Sequence, residues 1–552
     1  MEYHDQRPLR NVGDVADMAA DRYGDKMAFE YRGDEMTYAG LADRSDALAG
    51  ALQDDGVAAG DRVAILIENS LRYPEAFFGV IKAGAVPVPL NHRMDIDTLG
   101  YVVEDGEAEL LIAGDAFEST AADLLEKTDI SAAYAPSPSG DAVDDVDAFI
   151  ESGGAPEPTD RDWRDVAIQP YTSGTTGDPK GVLLTHENVL TTLRSFGQLG
   201  GADPEDDSTL VVLPLFHLFG LVVVLLNSTY NGIPVVMRTL PVPTELLSAI
   251  TEHEITSFAA VPAIYNEMLN EYEANPDEYD LSSIERLGSA AAPLSDEVRR
   301  RVERAFGVPM MEGWGMTETC ATGAAGSPRG TTKGAGCVGL PFPDMEIRLV
   351  DPETREVRVG EDTLDPLRPR DGTLDLPFDD EEAVTGEIAV RGPQVFEGYH
   401  GLPEKNDAVF DDDGWFYTED IARVDEDGEL WMVDRADDMM IVGGENVYPA
   451  EVEDVLYDHP EIDEAAVVGA PHEVKGEAPV AFVTPQPGVD AEELEEDEIR
   501  RFALERVASY AHPRRVFVVS ALPRSGTRKV QRYKLEEDAE DRVGELEPSD
   551  EL

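Results

Sequence analysis

The sequence predicts an α/β protein: a large N-terminal domain of stacked, mostly parallel sheets covered by helices, then a small α+β C-terminal domain. Three observations carry this expectation. Short apolar runs alternate with amphipathic stretches through most of the chain, the pattern of parallel strands joined by crossover helices. From residue 421 the texture changes to two alternating strands about an Asp-Glu-Asp-Gly turn. The length of 552 residues, 42% of them hydrophobic, allows roughly three or four structural units at about 150 residues each. A disulfide-dense miniprotein and wholesale disorder are both excluded.

In chain order, DRVAILIEN (61–69), PEAFFGVIKAG (74–84) and AVPVPLN (85–91) read as strand, helix and strand. The order recurs at GIPVVM, PTELLSAITEH, SFAAVP and AIYNEMLNEYEAN, and again at SSIERLGSAAAP, DEVRRRVERAFG and VPMMEG. Two segments rich in Pro, Gly and acid, 135–162 and 351–382, interrupt it. The second, with nine acids between Glu361 and Glu382 against Arg368 and Arg370, reads as a solvated loop. The hairpin IARVDEDGELWMVDR leads into EVEDVLYDHP, IDEAAVVGAP, APVAFVTP, an acidic helix over 492–507 and RRVFVVS. We divide the chain into 1–434, a junction at 435–438, and 439–552, a plausible domain by size.

Charge is the outlier. Lys plus Arg number 44 against 114 Asp plus Glu, a net −70, which opposes nucleic acid and anionic lipid as partners. Nine lysines stand against 35 arginines. At molar salt the Debye length falls to about 3 Å, so repulsion on this scale is tolerable in brine, and a halophile cytoplasm is the expected setting. Cys320 and Cys337 lack a companion pair, so neither a disulfide framework nor a zinc site is implied. The N-terminus lacks a basic-then-apolar secretory pattern. The longest apolar run, 211–226, contains Pro214 and His217 and falls short of the ~20 residues of a membrane span, so it reads as core.

The strongest local signal is YTSGTTGDPKG (171–181), after the apolar VAIQP and before a helix beginning near His186. Its glycines let backbone N–H groups approach an anion, its hydroxyls donate further bonds, and Lys180 adds charge, a composition suited to polyphosphate. It is not a Walker A loop, because Asp178 and Pro179 separate Gly177 from the lysine. An ordinary glycine-rich turn explains the glycines but not four hydroxyls and a scarce lysine.

This string resembles the phosphate loop of the acyl-adenylate-forming superfamily, which includes acyl-CoA synthetases, adenylation domains and firefly luciferase. Five further strings follow in family order: LPLFH (213–217), GSAAAP (288–293) with GWGMTE (313–318), GWFYTED (414–420), 435–451 and 522–535. The resemblance spans nearly the whole chain. It implies an ATP-dependent acid–CoA ligase with ATP, Mg²⁺ and coenzyme A, a small-molecule carboxylic acid as partner, and a mobile C-terminal domain. Thr172, Ser173, Gly174, Thr175, Thr176, Gly177 and Lys180 correspond to the phosphate loop, and His217 to a residue near the acyl carboxylate. Ala291, Ala292 and Pro293 match the adenine strip; Gly313, Trp314, Gly315 and Met316 lead to Thr317 on the α-phosphate and Glu318 on Mg²⁺. Asp420 and Arg435 match the ribose contacts. Lys529 is the lysine that stabilises the adenylation step. Gly443 and Gly444 match the wall of a pantetheine tunnel that forms when the small domain pivots near Asp437.

The sequence departs from the family at three positions. Trp314 stands where relatives often carry tyrosine, and Glu419 and Arg528 replace usual glycines. His217 also reads as a packed core histidine and Glu318 as a surface acid when taken without their motifs. GAGCVG (334–339) fits a dinucleotide fingerprint but lacks a preceding strand and a following helix, and Ser173 is not in a G-x-S-x-G elbow. The substrate expected is a medium or long fatty acid. An aryl acid, a freestanding carrier protein in place of coenzyme A, and a non-catalytic nucleotide-binding regulator are the alternatives; a homodimer is left open.

Overall fold

The computed structural model describes residues 9–157, 159–172, 178–199, 202–326, 333–365, 374, 376–435, 438–442, 445–472, 475–486, 488–491, 494–524 and 530–543. Arg62–Leu66 forms the second strand of a five-stranded parallel sheet, between Val86–Pro89 and Ala108–Ala113, and the order continues through Ala132–Ala135 to Asp144–Asp145. Helix Arg72–Lys82 crosses over between the first two, as its amphipathic spacing predicts. A short sheet of Gly398–Tyr399, Lys180–Thr185, Val166–Ile168 and Tyr171–Thr172 carries the glycine-rich motif.

The largest sheet among the described residues has fourteen strands. Its parallel part runs Met310–Trp314, Arg286–Ser289, Ser257–Ala260, Thr209–Val211, Val235–Met237, Met27–Tyr31. An antiparallel wing continues from Met310–Trp314 through Ala324–Ala325, Cys337–Pro341, Leu430–Arg435, Phe416–Val424, Thr385–Arg391, Glu346–Val350 and Val357–Val359. The hairpin legible in the sequence, Phe416–Val424 with Leu430–Arg435, therefore closes the large domain rather than opening the small one.

The small unit holds a second five-stranded sheet built on the pair Ile462–His472 and Gly476–Pro485. Alternate residues feed two cores: Ala465, Val467, Ala481 and Val483 on one face, Ala466, Val468, Val480 and Phe482 on the other.

The solvated-loop expectation for 351–382 is corrected, and the interruption at 135–162 gains structure of its own. Segment 135–162 contains helix Val146–Ser152, started by Asp145, whose carboxylate accepts from Ala148 N at 2.8 Å. The acidic segment 351–382 contains strand Val357–Val359 and helix Glu361–Leu364, because Val359 and Leu364 pack into the main core. The apolar run 211–226 is buried, as expected, but its second half is a π-helix, Phe219–Leu226.

Candidate active site

The flanks of the glycine-rich motif pair as a hairpin, Lys180 opposite Thr172 and Gly181 opposite Tyr171. Ser173, Gly174, Thr175, Thr176 and Gly177 lie outside the described residues, as do Asp437, Gly443, Gly444, Arg528 and Lys529. Lys180 Nζ stands 5.7 Å from the centroid of the Tyr399 ring, within cation–π range. The Tyr399 hydroxyl donates to Glu318 Oε1 at 2.8 Å. Glu318, on the short helical turn Thr317–Thr319, is buried. Burial pushes its carboxyl pKa up, while the Tyr399 bond and the Arg435 charge pull the other way. Sequence reading passed over Tyr399 because the two residues are 81 positions apart and no spacing joins them.

The nucleoside-type residues meet across the antiparallel wing. Asp420 and Arg435 are register partners, with Arg435 Nε 3.7 Å from Asp420 Oδ1. Trp314 Nε1 donates to Asp420 Oδ2 at 2.7 Å, so the tryptophan supplies a polar link where a tyrosine would have offered a hydroxyl. Its ring fits because residue 323 is glycine: a Cβ there would lie 2.4 Å from the indole. Glu419 sits in the left-handed region at φ 63°, held by Lys405 at 3.4 Å and Arg435 at 3.5 Å.

One cavity of about 1610 Å³ gathers Thr172, Lys180, His217, Ala291, Gly313, Trp314, Gly315, Met316, Thr317, Glu318 and Arg435. Ala292 and Pro293 are not part of its lining, and Asp420 is reached through Trp314 and Arg435 rather than directly. His217 Nδ1 accepts from Phe219 N at 3.2 Å, which fixes the ring at the start of the π-helix. The same cavity has apolar lining from Phe196, Leu199, Phe219, Val223, Ile233 and Phe342. Its floor is the alternate, less buried residues of three adjacent strands: Ser257 and Ala259, Arg286 and Gly288, Met311 and Gly313. Val530, Gln531, Arg532 and Tyr533, which follow Lys529, line the same cavity from the small unit.

Among the described residues no group of three or more His, Cys, Asp or Glu could by itself hold a metal ion. Mg²⁺ is commonly held by one or two carboxylates together with phosphate oxygens and water. Glu318, a desolvated hard oxygen donor, fits that description, and the ion it would hold supplies neutralisation of phosphate charge.

The family comparisons agree with this geometry. Residues 16–400 match the AMP-binding enzyme model and residues 451–529 the AMP-binding enzyme C-terminal domain model. The long-chain-fatty-acid–CoA ligase of Bacillus subtilis is 30% identical over 96% of this chain and 95% of its own length. A feruloyl-CoA synthase of Amycolatopsis is 34% identical over 91% and 94%. The O-succinylbenzoate–CoA synthetase of Bacillus subtilis, solved with ATP and magnesium, superposes with a TM-score of 0.77 at 29% identity, covering 96% and 99%. The chain belongs to the AMP-binding enzyme family. Within it the chain is an ATP-dependent, AMP-forming acid–CoA ligase, with Mg²⁺ as metal and coenzyme A as co-substrate. No helix among the described residues is long and apolar enough to cross a membrane.

Proposed function

We propose that the enzyme activates a medium- or long-chain fatty acid. A carboxylate oxygen attacks the α-phosphorus of ATP and pyrophosphate leaves; the thiol of coenzyme A then attacks the acyl carbon and AMP leaves. The observation that supports this substrate is the cavity floor. From the level of Arg286 to that of Gly313 it runs four residues along the strands, about 13 Å at ~3.3 Å per residue. An extended chain advances roughly 1.3 Å per C–C bond of ~1.5 Å, so about ten carbons lie along it. Ala259, Gly288 and Gly313 present no bulky side chain along that path, while Arg286 and Met311 stand on the same face of the strands.

In this reading Lys180 and residues 172–177 hold the phosphates, Thr317 binds the α-phosphate, and Glu318 carries Mg²⁺. His217 orients the acyl carboxylate at the channel mouth. Asp420 and Arg435 position the ribose, and Trp314 and Ala291 flank the base. Lys529 neutralises the charge developing on the α-phosphate and carboxylate oxygens, the electrostatic contribution that dominates such steps. Gly443 and Gly444 line the pantetheine path. The domain division 1–434, 435–438 and 439–552 belongs to the same proposal, as does a cytoplasmic setting, with which two free, buried cysteines agree.

An aryl acid is the second reading, favoured by the 34% identity to a feruloyl-CoA synthase. AMP formation in molar KCl, with acids from acetate to oleate plus benzoate and coumarate, tests the choice; turnover of coumarate but of none from hexanoate to oleate would reverse it. Lys529→Ala is expected to abolish acyl-AMP formation and spare thioester formation from supplied acyl-AMP. Equal loss of both steps would refute the role given to Lys529.

A further inference from the structure

The junction between the two units carries a contact that the sequence motifs do not explain. Helix Pro449–Tyr457 is the first helix of the small unit and has no side-chain cap of its own. Its first turn is capped from the other side of the junction: Asp434, in the last strand of the large sheet, accepts from Ala450 N at 3.0 Å. Its second oxygen accepts from Arg435 N at 2.8 Å, which aims the carboxylate. A carboxylate at a helix N-terminus satisfies an orphan N–H and opposes the positive end of the macrodipole.

Behind this cap lies Arg532, three residues after Lys529. Its guanidinium grips Glu453 of the same helix with two bonds, 2.5 and 3.0 Å, donates to Val467 O at 2.9 Å, and stands 3.4 Å from Asp438. Glu453 also accepts from Val467 N at 2.7 Å. The charges facing Asp434 are therefore Arg532 and Glu453 from the small unit and Arg435 on its own strand; Asp438 and Glu536 surround Arg532. Arg532 is thus a strut between the capped helix and the segment 530–533 that lines the nucleotide cavity.

We infer that Asp434 is a positioning residue: by capping helix Pro449–Tyr457 across the junction, with Arg532 as strut, it latches the small domain with segment 530–533 facing the cleft. The inference rests on the two-step reaction proposed above. Rotation of the small domain away from the cleft carries Ala450 off Asp434, so the contact favours adenylation over thioester formation. Burial pushes the Asp434 carboxyl up to about 6, while the Arg532 charge and the bond from Ala450 N pull the other way.

The test uses the full chain in molar KCl with Asp434→Ala, Asp434→Asn and Arg532→Lys. Acid-dependent ATP–pyrophosphate exchange and thioester formation from synthetic acyl-AMP are measured separately, beside thermal melting and a donor–acceptor distance between dyes on the two domains. For Asp434→Ala the expected result is a roughly tenfold fall in exchange kcat, the size of a lost cap. The KM for the acid stays within about twofold, thioester formation is undiminished, and the interdomain distance distribution broadens. Asp434→Asn, which keeps an oxygen acceptor, is expected to recover most of the exchange rate. Arg532→Lys keeps the charge but loses the two-pronged grip and is expected to behave as Asp434→Ala. Equal loss of both half-reactions, or an unchanged distance distribution in a folded Asp434→Ala, overturns the latch. Absence of exchange in the unmodified enzyme would overturn the proposed reaction, while the distance measurement still decides the latch.

Discussion

Glutamate 419 occupies a backbone conformation that ordinarily calls for glycine. At φ 63° its Cβ crowds the following carbonyl, at a cost of roughly 1–2 kcal/mol. Its backbone N–H is held by Glu387 at 2.9 Å and its carboxylate by Lys405 and Arg435. Half-exposed ion pairs of this kind contribute about 0.2–1 kcal/mol, less than the strain. Glu419→Gly is therefore expected to leave the melting temperature unchanged or raise it, while Glu419→Val lowers it; a clear fall for the glycine variant would contradict the strain argument. Glu318 shows the converse economy. Its raised pKa means that ionising the carboxyl in the folded state is costly: the contribution is intact below the ordinary pKa of 4.5 and is lost as the pH rises through the folded value. Glu318→Gln is expected to melt higher than the unmodified protein at neutral pH in the absence of nucleotide, yet to lose about 10²-fold or more in acid-dependent pyrophosphate release. Calorimetry and a coupled pyrophosphate assay on the same preparation check both halves.

The proposed acyl channel is a property of three strands rather than of any residue in it. Ser257–Ala260, Arg286–Ser289 and Met310–Trp314 alternate between a face packed on the helices and a face open to the cavity. The open patch in that floor exists because Ala259 and Gly288 are cross-strand neighbours, with Met311 beside Gly288 on the next strand. Gly288→Phe is expected to cut turnover of decanoate at least tenfold while butyrate is little affected; parallel loss for both acids would place the chain elsewhere. His217 stands just before the π-helix Phe219–Leu226 and accepts from its first N–H. A Cβ at Gly220 would lie 2.7 Å from Pro214 O and 2.8 Å from Leu213 O, so the turn closes onto the motif only with glycine there. The strand–helix–strand alternation was legible because period 2 and period 3.6 leave distinct apolar patterns. The capped helix Val146–Ser152 was not, since its seven residues sit in an acidic, glycine-rich context that mimics a loop.

For the molecule as a whole, charge sets the working conditions. With 70 excess negative charges, repulsion is screened over about 3 Å in molar salt and about 10 Å at 0.1 M. Dialysis into salt-free buffer is expected to unfold the protein at least in part; an unchanged, sharp melting transition there would rule out the high-salt reading. A pH effect acts at the domain interface. Burial pushes the Glu312 carboxyl, in the large domain, up to about 7, and the charge of Asp454, in the small one, adds to the rise. Below about pH 4.5 the folded and unfolded states are both protonated there; as the pH rises through about 7 the folded state must give up a proton that the unfolded chain has already lost, so stability falls. The stabilising effect of Glu312→Gln is accordingly expected to be larger near pH 8 than near pH 5, read as the difference in Tm from the unmodified protein.

The amino-acid order by itself determined the fold class, the succession of motifs and hence the family, because periodicity and short strings of glycine, hydroxyl and charge are local properties of the chain. Only the tertiary structure decided that Trp314 hydrogen-bonds Asp420, that Tyr399 holds Glu318, that three strands share one floor, and that Asp434 caps a helix of the other domain. The first two of these contacts join residues about a hundred positions apart, and all four depend on which elements the packed core brings side by side. Contacts of that kind leave no spacing in the sequence from which to read them.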